Sequence, residues 1–348
     1  MCAGTIRLMY WLARAAVICL AVAAAALPVC AQSDSCSVRT LPLTVRDSVG
    51  SSIEGVSPAD LIVKVRGKGI AVESLEPALH SKRAVILLDT SGSMEGPISA
   101  GAAKFSLQLA ANFARLTYPQ LRLAFLTFNE QPYPKAGFSE NNLPVLSQLK
   151  TLIDQSETYK KEVKGRTALY DAIFAALQML DRPSSSDLLL VISDGGENRS
   201  KKSRKDTSTA LISSGVRFYA IYTFAQTQAN RMRTPEEMEG PDVLQDLAEE
   251  SGGEVFSTMG SGSGAENYFS ISRRSLTRQM SLELALKVFY EGMLDTKVIR
   301  LRVPADSKKE EALEIKLTAE ARKKWKDAVL AYPNRIAPCS PQEQTVVH

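Results

Sequence analysis

Short apolar runs alternate with helical segments through residues 82–258, and this alternation limits the possible folds more than any other feature of the chain. The apolar runs are typical of strands buried on both faces. They lie at residues 84–88, 122–128, 188–192 and 216–222. Between them, apolar residues recur at helical spacing, as at residues 105–116. The pattern predicts an α/β fold: a Rossmann-like, doubly wound, mostly parallel sheet with helices on both faces.

The stretches next to this region have a different character. Residues 41–65 alternate apolar and polar positions around a Gly/Ser/Pro stretch, so residues 32–81 are expected to form a β-rich amino-terminal segment. Glycine and serine dominate residues 259–267, which predicts a flexible linker. The expected organisation is therefore an α/β domain at residues 82–258 with an extension on each side.

The carboxy-terminal extension, residues 268–348, is expected to combine both types of element. A helical pattern covers residues 276–290. Two alternating runs follow at residues 297–304 and 312–317, separated by a charged turn. This order predicts a helix followed by a β-hairpin.

The first 31 residues have the pattern of a secretory signal peptide. Arg7 and Arg14 precede an apolar run at residues 15–29, and the small residue Ala31 marks a cleavage site. The run is too short to cross a bilayer comfortably, since a span needs about 20 apolar residues. Lipid anchoring at Cys30 is disfavoured, because the preceding valine is larger than lipoprotein cleavage accepts. We expect an exported protein, either periplasmic or secreted.

Charge and cysteine content narrow the function further. Arg7 and Arg14 are two of 42 basic residues set against 38 acidic ones, so the chain without its signal is nearly neutral. No overall field then favours nucleic acid as a partner. Of the five cysteines, Cys36 and Cys339 remain after cleavage. Two cysteines in an exported chain suggest a disulfide, with two free thiols as the alternative.

A group of oxygen ligands follows the first buried run. The sequence DTSGS places Asp89, Ser91 and Ser93 at alternate positions of the turn after residues 84–88. Hard divalent cations such as Mg²⁺ prefer a near-octahedral shell of oxygens at about 2.0 to 2.1 Å. The carboxylate and two hydroxyls would supply half of that shell, although each hydroxyl could also serve only as a helix cap.

This D-x-S-x-S spacing resembles the first ligand loop of the von Willebrand factor A (VWA) domain, whose metal site is called the metal-ion-dependent adhesion site, or MIDAS. The chain is similar in particular to exported bacterial VWFA-related proteins. GRTALYDAI at residues 165–173 resembles the second loop and nominates Thr167. LLLVISDGGEN at residues 188–198 resembles the third loop and nominates Asp194. The resemblance implies a site for Mg²⁺, or alternatively Mn²⁺ or Ca²⁺, whose ligands are Asp89, Ser91, Ser93, Thr167 and Asp194.

The resemblance also implies a protein partner. Two carboxylates and three neutral hydroxyls leave the charge of a divalent cation incompletely balanced, and in the family an acidic residue of the partner completes the shell. Basic residues of the same loops would favour such a partner, although they could equally be solvated loop charges. They are Arg166, Arg199, Lys201, Lys202, Arg204 and Lys205. The predicted function is metal-dependent protein binding in adhesion or assembly, with no nucleic acid and no membrane span after signal removal.

Enzyme functions fit the sequence less well, and we expect none. The two histidines are His80 and His348, and no G-x-S-x-G motif, phosphate-binding loop or Cys/His metal motif occurs. A phosphatase with an aspartyl nucleophile would use Asp89, but it needs a second aspartate where Ser91 stands. A metal-dependent hydrolase using Asp89, and a scaffold whose metal recognises no partner, are the alternatives.

Overall fold

A computed structural model gives the fold of most of the chain. The residues that it describes are 38–48, 50–78, 82–94, 99–117, 119–155, 159, 161–223, 235–258, 267–271, 274–278, 282–303 and 309–338. The predicted signal peptide, Cys36, Cys339 and residues 259–266 of the predicted linker lie outside this part of the chain.

The elements of the described residues are named in chain order. The strands are β1 (Val38–Arg46), β2 (Leu61–Val65), β3 (Lys68–Ile70), β4 (Val72–Pro77), β5 (Lys82–Asp89), β6 (Leu121–Phe128), β7 (Pro132–Ala136), β8 (Leu188–Ser193), β9 (Arg217–Thr223), β10 (Val255–Thr258), β11 (Asn267–Ile271), β12 (Arg274–Arg278), β13 (Lys297–Arg302), β14 (Glu311–Leu317), β15 (Val329–Ala331) and β16 (Arg335–Ile336). The helices are α1 (Ser99–Leu116), α2 (Leu143–Asp154), α3 (Leu169–Met179), α4 (Arg204–Ser214), α5 (Pro235–Ser251), α6 (Leu282–Leu294) and α7 (Ala319–Lys324).

The central sheet has the order β12-β11-β10-β9-β8-β5-β6-β7 among the described strands. Neighbouring strands from β10 to β6 in this order are parallel, whereas β7, β11 and β12 pair antiparallel at the two edges. Side chains alternate between the faces: Ile86 of β5 packs into one core and Val85 into the other. The predicted class, a mostly parallel doubly wound sheet, is confirmed.

Among the helices that the structure describes, three cover each face of this sheet. One core lies beneath α1, α2 and α6, and the other lies beneath α3, α4 and α5. The carboxy-terminal helix α6 is part of the first layer, because the ring of Tyr290 meets Phe113 of α1 edge-on at a centroid distance of 5.1 Å. The ring of Phe289 lies 5.4 Å from that of Phe256 in β10. Helix α6 thus completes the α/β layer although it follows the sheet in sequence.

The segments before and after the α/β region form a β-sandwich together. One sheet has the order β15-β1-β13-β4 and the other β16-β14-β2-β3, so each sheet contains two strands from each segment. A third apolar core lies between these sheets and includes Leu43, Val63 and Ile315.

The predicted carboxy-terminal hairpin is wrong in its pairing. Both strands exist, but β13 pairs with β1 and β4, while β14 pairs with β2 and β16. An alternating pattern identifies a strand with one buried face, yet it does not identify the neighbour that takes its hydrogen bonds. Here the amino-terminal strands take them.

The predicted helix at residues 276–290 begins later than expected. Residues 274–278 form β12, and α6 covers Leu282–Leu294. The strand β12 pairs antiparallel with β11 in the central sheet, so the pairing and not a local apolar pattern makes these residues a strand. In the part of the chain that the structure describes, no helix combines the length and the apolar character needed to cross a bilayer.

A buried ion pair joins the sandwich to the α/β domain. Arg46 of β1 and Glu254, just before β10, are both almost fully buried, with nitrogen and oxygen 2.8 Å apart. Gly292 of α6 leaves the space that the Arg46 guanidinium occupies, because a Cβ there would overlap it. Burial raises the pKa of Glu254, and the positive charges of Arg46 and Arg217 oppose that shift.

Candidate metal centre

The first predicted loop brings one carboxylate and two hydroxyls together at the carboxyl end of β5. Asp89 is fully buried, and its Oδ1 accepts a hydrogen bond from the backbone N–H of Ser91 at 2.8 Å. Its Oδ2 accepts from the hydroxyl of Ser193, at the end of the neighbouring strand β8. The Oγ atoms of Ser91 and Ser93 lie 3.0 Å apart. A short 3-10 turn, Gly92–Met94, sets this spacing.

The second predicted loop lies directly against the first. The N–H of Gly92 donates to the carbonyl of Gly165 at 2.9 Å, and the N–H of Lys164 donates to the carbonyl of Thr90 at the same distance. Gly165 has a φ of 80°, in the left-handed region that glycine adopts without strain. Thr167 follows two residues later and is buried. Backbone bonds therefore fix Thr167 relative to the first loop.

The third predicted loop is fastened to the second by reciprocal hydrogen bonds. The N–H of Thr167 donates to Oδ1 of Asn198 at 3.0 Å, and the N–H of Asn198 donates to the carbonyl of Thr167 at 3.0 Å. The carboxylate of Glu197 accepts from the N–H of Tyr170 in the first turn of α3. These contacts hold the Thr167 and Asp194 loops in one arrangement before any ligand binds.

Side-chain oxygens of Asp194 and Thr167 both lie close to Gly196. A Cβ at Gly196 would lie 3.4 Å from Oδ1 of Asp194 and 3.8 Å from Oγ1 of Thr167. On the other side, Gly240 of α5 packs so closely on the backbone of the Asp194 loop that a Cβ there would overlap the Asp194 carbonyl. Glycine at position 240 therefore allows the support of the third loop from α5.

The electrostatics of the site disfavour the ionised form of Asp89. Burial raises the pKa of Asp89 to about 7, and the nearby negative charge of Asp194 adds to the shift. Hydrogen bonds from Ser193 and Ser91 oppose it. Two carboxylates that destabilise each other's ionised form, beside three hydroxyl groups, match the oxygen ligands that Mg²⁺ takes. The residues present therefore fit a hard divalent cation.

The six predicted basic residues have different surroundings. Arg166, Arg199, Lys201 and Lys205 are exposed. Lys202 is exposed too, and its Nζ lies 4.8 Å from the ring centre of Phe174. Arg204 forms ion pairs with Asp246 at 2.8 Å and Glu250 at 3.7 Å, so its charge is balanced by α5.

Sequence reasoning missed several residues that shape this site. Ser193, Glu197 and Asn198 bond to the predicted ligands or to their loops, and Gly240 supports the third loop from a distant part of the sequence. A polar residue at the end of an apolar strand could have identified Ser193. The run GGEN, directly after Asp194, could have identified Glu197 and Asn198, because such residues bond to nearby backbone. The role of Gly240 has no local signal.

Comparison with known proteins identifies the type of domain that contains these loops. The family model of the von Willebrand factor type A domain matches residues 84–268, more than half of the chain. No curated protein matches. BatB from Bacteroides thetaiotaomicron is 15% identical, with a TM-score of 0.38, over 51% of this chain and 91% of BatB. An aerotolerance-related membrane protein from Bacteroides fragilis is 14% identical, with a TM-score of 0.40, over 61% of this chain and 98% of that protein.

A third similar structure is the PilB minor pilin from Streptococcus sanguinis, 13% identical, with a TM-score of 0.38, over 62% of this chain and 61% of the pilin. The family match, which begins in β5 and extends into β11, covers all three predicted ligand loops. This chain belongs to the von Willebrand factor A domain family.

Proposed function

We propose that this protein is an exported binding module that recruits an acidic group of a partner protein through a divalent cation. VWA domains mediate protein–protein interaction, and this chain contains one. The cation, Mg²⁺ or alternatively Mn²⁺ or Ca²⁺, would be held by Asp89, Ser91, Ser93, Thr167 and Asp194. When bound, it would act as a Lewis acid that attracts an additional oxygen ligand.

The observation that carries the proposal is the buried carboxylate of Asp89 beside Asp194. A carboxylate whose pKa is raised to about 7 by burial and by a like charge is unfavourable in its ionised form without a counter-ion. A cation would remove that penalty. The hydroxyls of Ser91 and Ser93, 3.0 Å apart, supply neutral ligands on the same side of the turn.

The charge of the proposed site explains the choice of an acidic partner. A divalent ion with two carboxylates and three hydroxyls would still attract an external anion, and the exposed Arg166, Arg199 and Lys201 would speed its approach. Arg204 contributes less, because Asp246 and Glu250 balance its charge.

A binding role is favoured over hydrolysis. Both carboxylate oxygens of Asp89 already accept hydrogen bonds, from Ser91 and Ser193, and the side chain is fully buried. A nucleophilic carboxylate needs an oxygen that can reach the substrate. Asp89 is therefore better suited to balance a cation than to attack a phosphate.

Mn²⁺ is the probe that tests the proposed cation. Calorimetry on the mature chain should detect uptake of one Mn²⁺, and Asp89→Ala should abolish it. The matched control is Asp154→Ala, which removes an exposed carboxylate of α2 and should leave Mn²⁺ affinity unchanged. Absence of Mn²⁺ uptake by the folded wild-type protein would refute the proposal.

The acidic partner group is tested separately on the Mn²⁺-loaded protein. An acetylated and amidated tripeptide that contains glutamate should displace metal-bound water and lower the proton relaxation enhancement of Mn²⁺, whereas its blocked glutamine counterpart, which has no carboxylate, should not. Lys201→Glu with Lys202→Glu should weaken this effect most at low salt. Lys64→Glu with Lys68→Glu, on the β-sandwich, makes the same charge change as a control. Equal effects of the two tripeptides would rule out recognition of a carboxylate.

A further inference from the structure

The β-sandwich contains a groove that the proposed cation site does not use. It has a volume of 330 Å³ and lies where the chain passes from β14 through α7 to β15. Apolar side chains that include Ile315, Leu317 and Val329 line it. Its charged lining residues are Lys316, Arg322 and Lys326.

One edge of β14 is bare along this groove. On its other edge β14 pairs with β2 over residues 313–317. On the groove side, β16 pairs only with Glu311 and Ala312, and the N–H of Leu313 donates to the carbonyl of Asn334 at 2.9 Å. Beyond Leu313, no strand of the described residues pairs with this side.

The direction of the free backbone groups follows from the pairing of Leu313. Backbone N–H and C=O groups of alternate residues point to the same edge of an antiparallel strand. Because Leu313 bonds toward β16, Ile315 and Leu317 direct their N–H and C=O groups to that edge as well. The groove therefore offers two donors and two acceptors in the spacing of a strand.

The rim of the groove carries an excess of positive charge. Lys316 forms an ion pair with its neighbour Glu314. Neither Arg322 nor Lys326 forms an ion pair within the part of the chain that the structure describes. Both side chains are exposed. A ligand that carries carboxylates would complement this rim.

We propose that the groove binds an extended peptide segment of a partner protein as a strand added to β14. Main-chain hydrogen bonds to Ile315 and Leu317 would hold the peptide. Side chains alternate between the faces of a strand, so apolar residues would enter the groove and acidic residues would lie beside Lys316 and Lys326. The bare edge accommodates about four residues, or about 13 Å of strand.

The test uses acetyl-(Val-Glu)₃-amide as the acidic probe and acetyl-(Val-Lys)₃-amide as its counterpart, with EDTA present so that the cation site plays no part. The acidic peptide is expected to bind at least tenfold more tightly. Amide hydrogen exchange should slow at least tenfold at Ile315 and Leu317 in the complex, and it should stay within twofold at Leu313, which is already bonded. Equal affinity for the two peptides, or binding without protection at Ile315 and Leu317, would overturn the proposal.

A charge reversal with a matched control locates the binding site. Lys326→Glu should weaken binding of the acidic peptide at least threefold, whereas Lys323→Glu, in α7 three residues earlier and outside the groove, should change it less than 1.5-fold. Both positions are exposed, so both variants should fold. Equal effects of the two reversals would overturn the assignment to the groove.

Decanoate is the remaining comparison: if it binds and the acidic peptide does not, the groove takes single-chain amphiphiles and the peptide proposal is wrong.

Discussion

Replacing Asp89 by asparagine should stabilise the metal-free protein while removing its capacity for metal. The folded-state pKa of Asp89 is about 7, against an ordinary value of 3.8, because the group is buried and faces the charge of Asp194. For an acid with a raised pKa, the folded state holds the proton longer than the unfolded state. The contribution of Asp89 to the free energy of unfolding is therefore fully present below about pH 4, and it is lost as the pH rises toward 7.

The size of the effect follows from the shift. About three pKa units at about 1.4 kcal/mol each give roughly 4 kcal/mol that ionisation of Asp89 costs the metal-free protein above pH 7. Asp89→Asn removes this cost and keeps the acceptor for the N–H of Ser91. The free energy of unfolding of the variant, relative to wild type, should therefore rise by roughly 4 kcal/mol between pH 4 and pH 8.

Urea unfolding with EDTA at the two pH values measures this difference, with Asp154→Asn as the exposed control. At pH 8, Mg²⁺ at a hundred times its dissociation constant should stabilise the wild type by about 2.7 kcal/mol and leave Asp89→Asn unchanged. A variant that gains no stability relative to wild type between pH 4 and pH 8 would refute the electrostatic reasoning. Retained Mg²⁺ stabilisation would refute the role of Asp89 as a ligand.

Three further predictions concern residues around the site and at the domain junction. Gly240→Ala should displace the third loop and weaken Mn²⁺ binding at least tenfold by calorimetry, whereas Gly137→Ala, whose Cβ would meet nothing within 4 Å, should not. Asn198→Ala should lower Mn²⁺ affinity by roughly 10- to 100-fold by freeing the Thr167 loop, and Asn198→Asp should restore part of it because it keeps the acceptor. Arg46→Met should reduce the free energy of unfolding by roughly 3 to 5 kcal/mol in urea titrations, since it leaves the buried Glu254 without its partner, and adding Glu254→Gln should recover part of that loss. Unchanged Mn²⁺ affinity in Gly240→Ala or Asn198→Ala would contradict the supporting roles given to these residues. If the double variant lost as much stability as the two single variants together, the ion-pair reasoning would be wrong.

The α/β class and the VWA family were predictable because the signals for them are local. Residues 84–88 of β5 form a continuous apolar run. A strand needs such a run when helices cover both of its faces, and β5 contributes to the core on each side of the sheet. The ligand loops follow strand ends or precede a helix, so the order of elements alone predicts that they meet at one edge of the sheet. The metal itself stays a prediction.

Edge strands were harder to predict. The segment Pro132–Ala136 contains two prolines, which disfavour a strand, yet it forms β7 at the outer edge, where a missing N–H is tolerated. Residues 276–278 of β12 were assigned to a helix that begins only at Leu282. In both cases the pairing partner, rather than the segment's own composition, decided the structure.

The sequence by itself determined the buried parallel strands β5, β6, β8 and β9, their alternation with helices, and which residues could supply oxygen ligands. Those properties depend on the periodicity of apolar residues and on the chemistry of single side chains. Only the tertiary structure decided that β13 and β14 belong to different sheets, that α6 completes the helical layer, and that Gly240 supports the Asp194 loop. Such contacts join residues far apart in the chain, and their choice depends on packing and backbone hydrogen bonding across the whole fold, which no local pattern encodes.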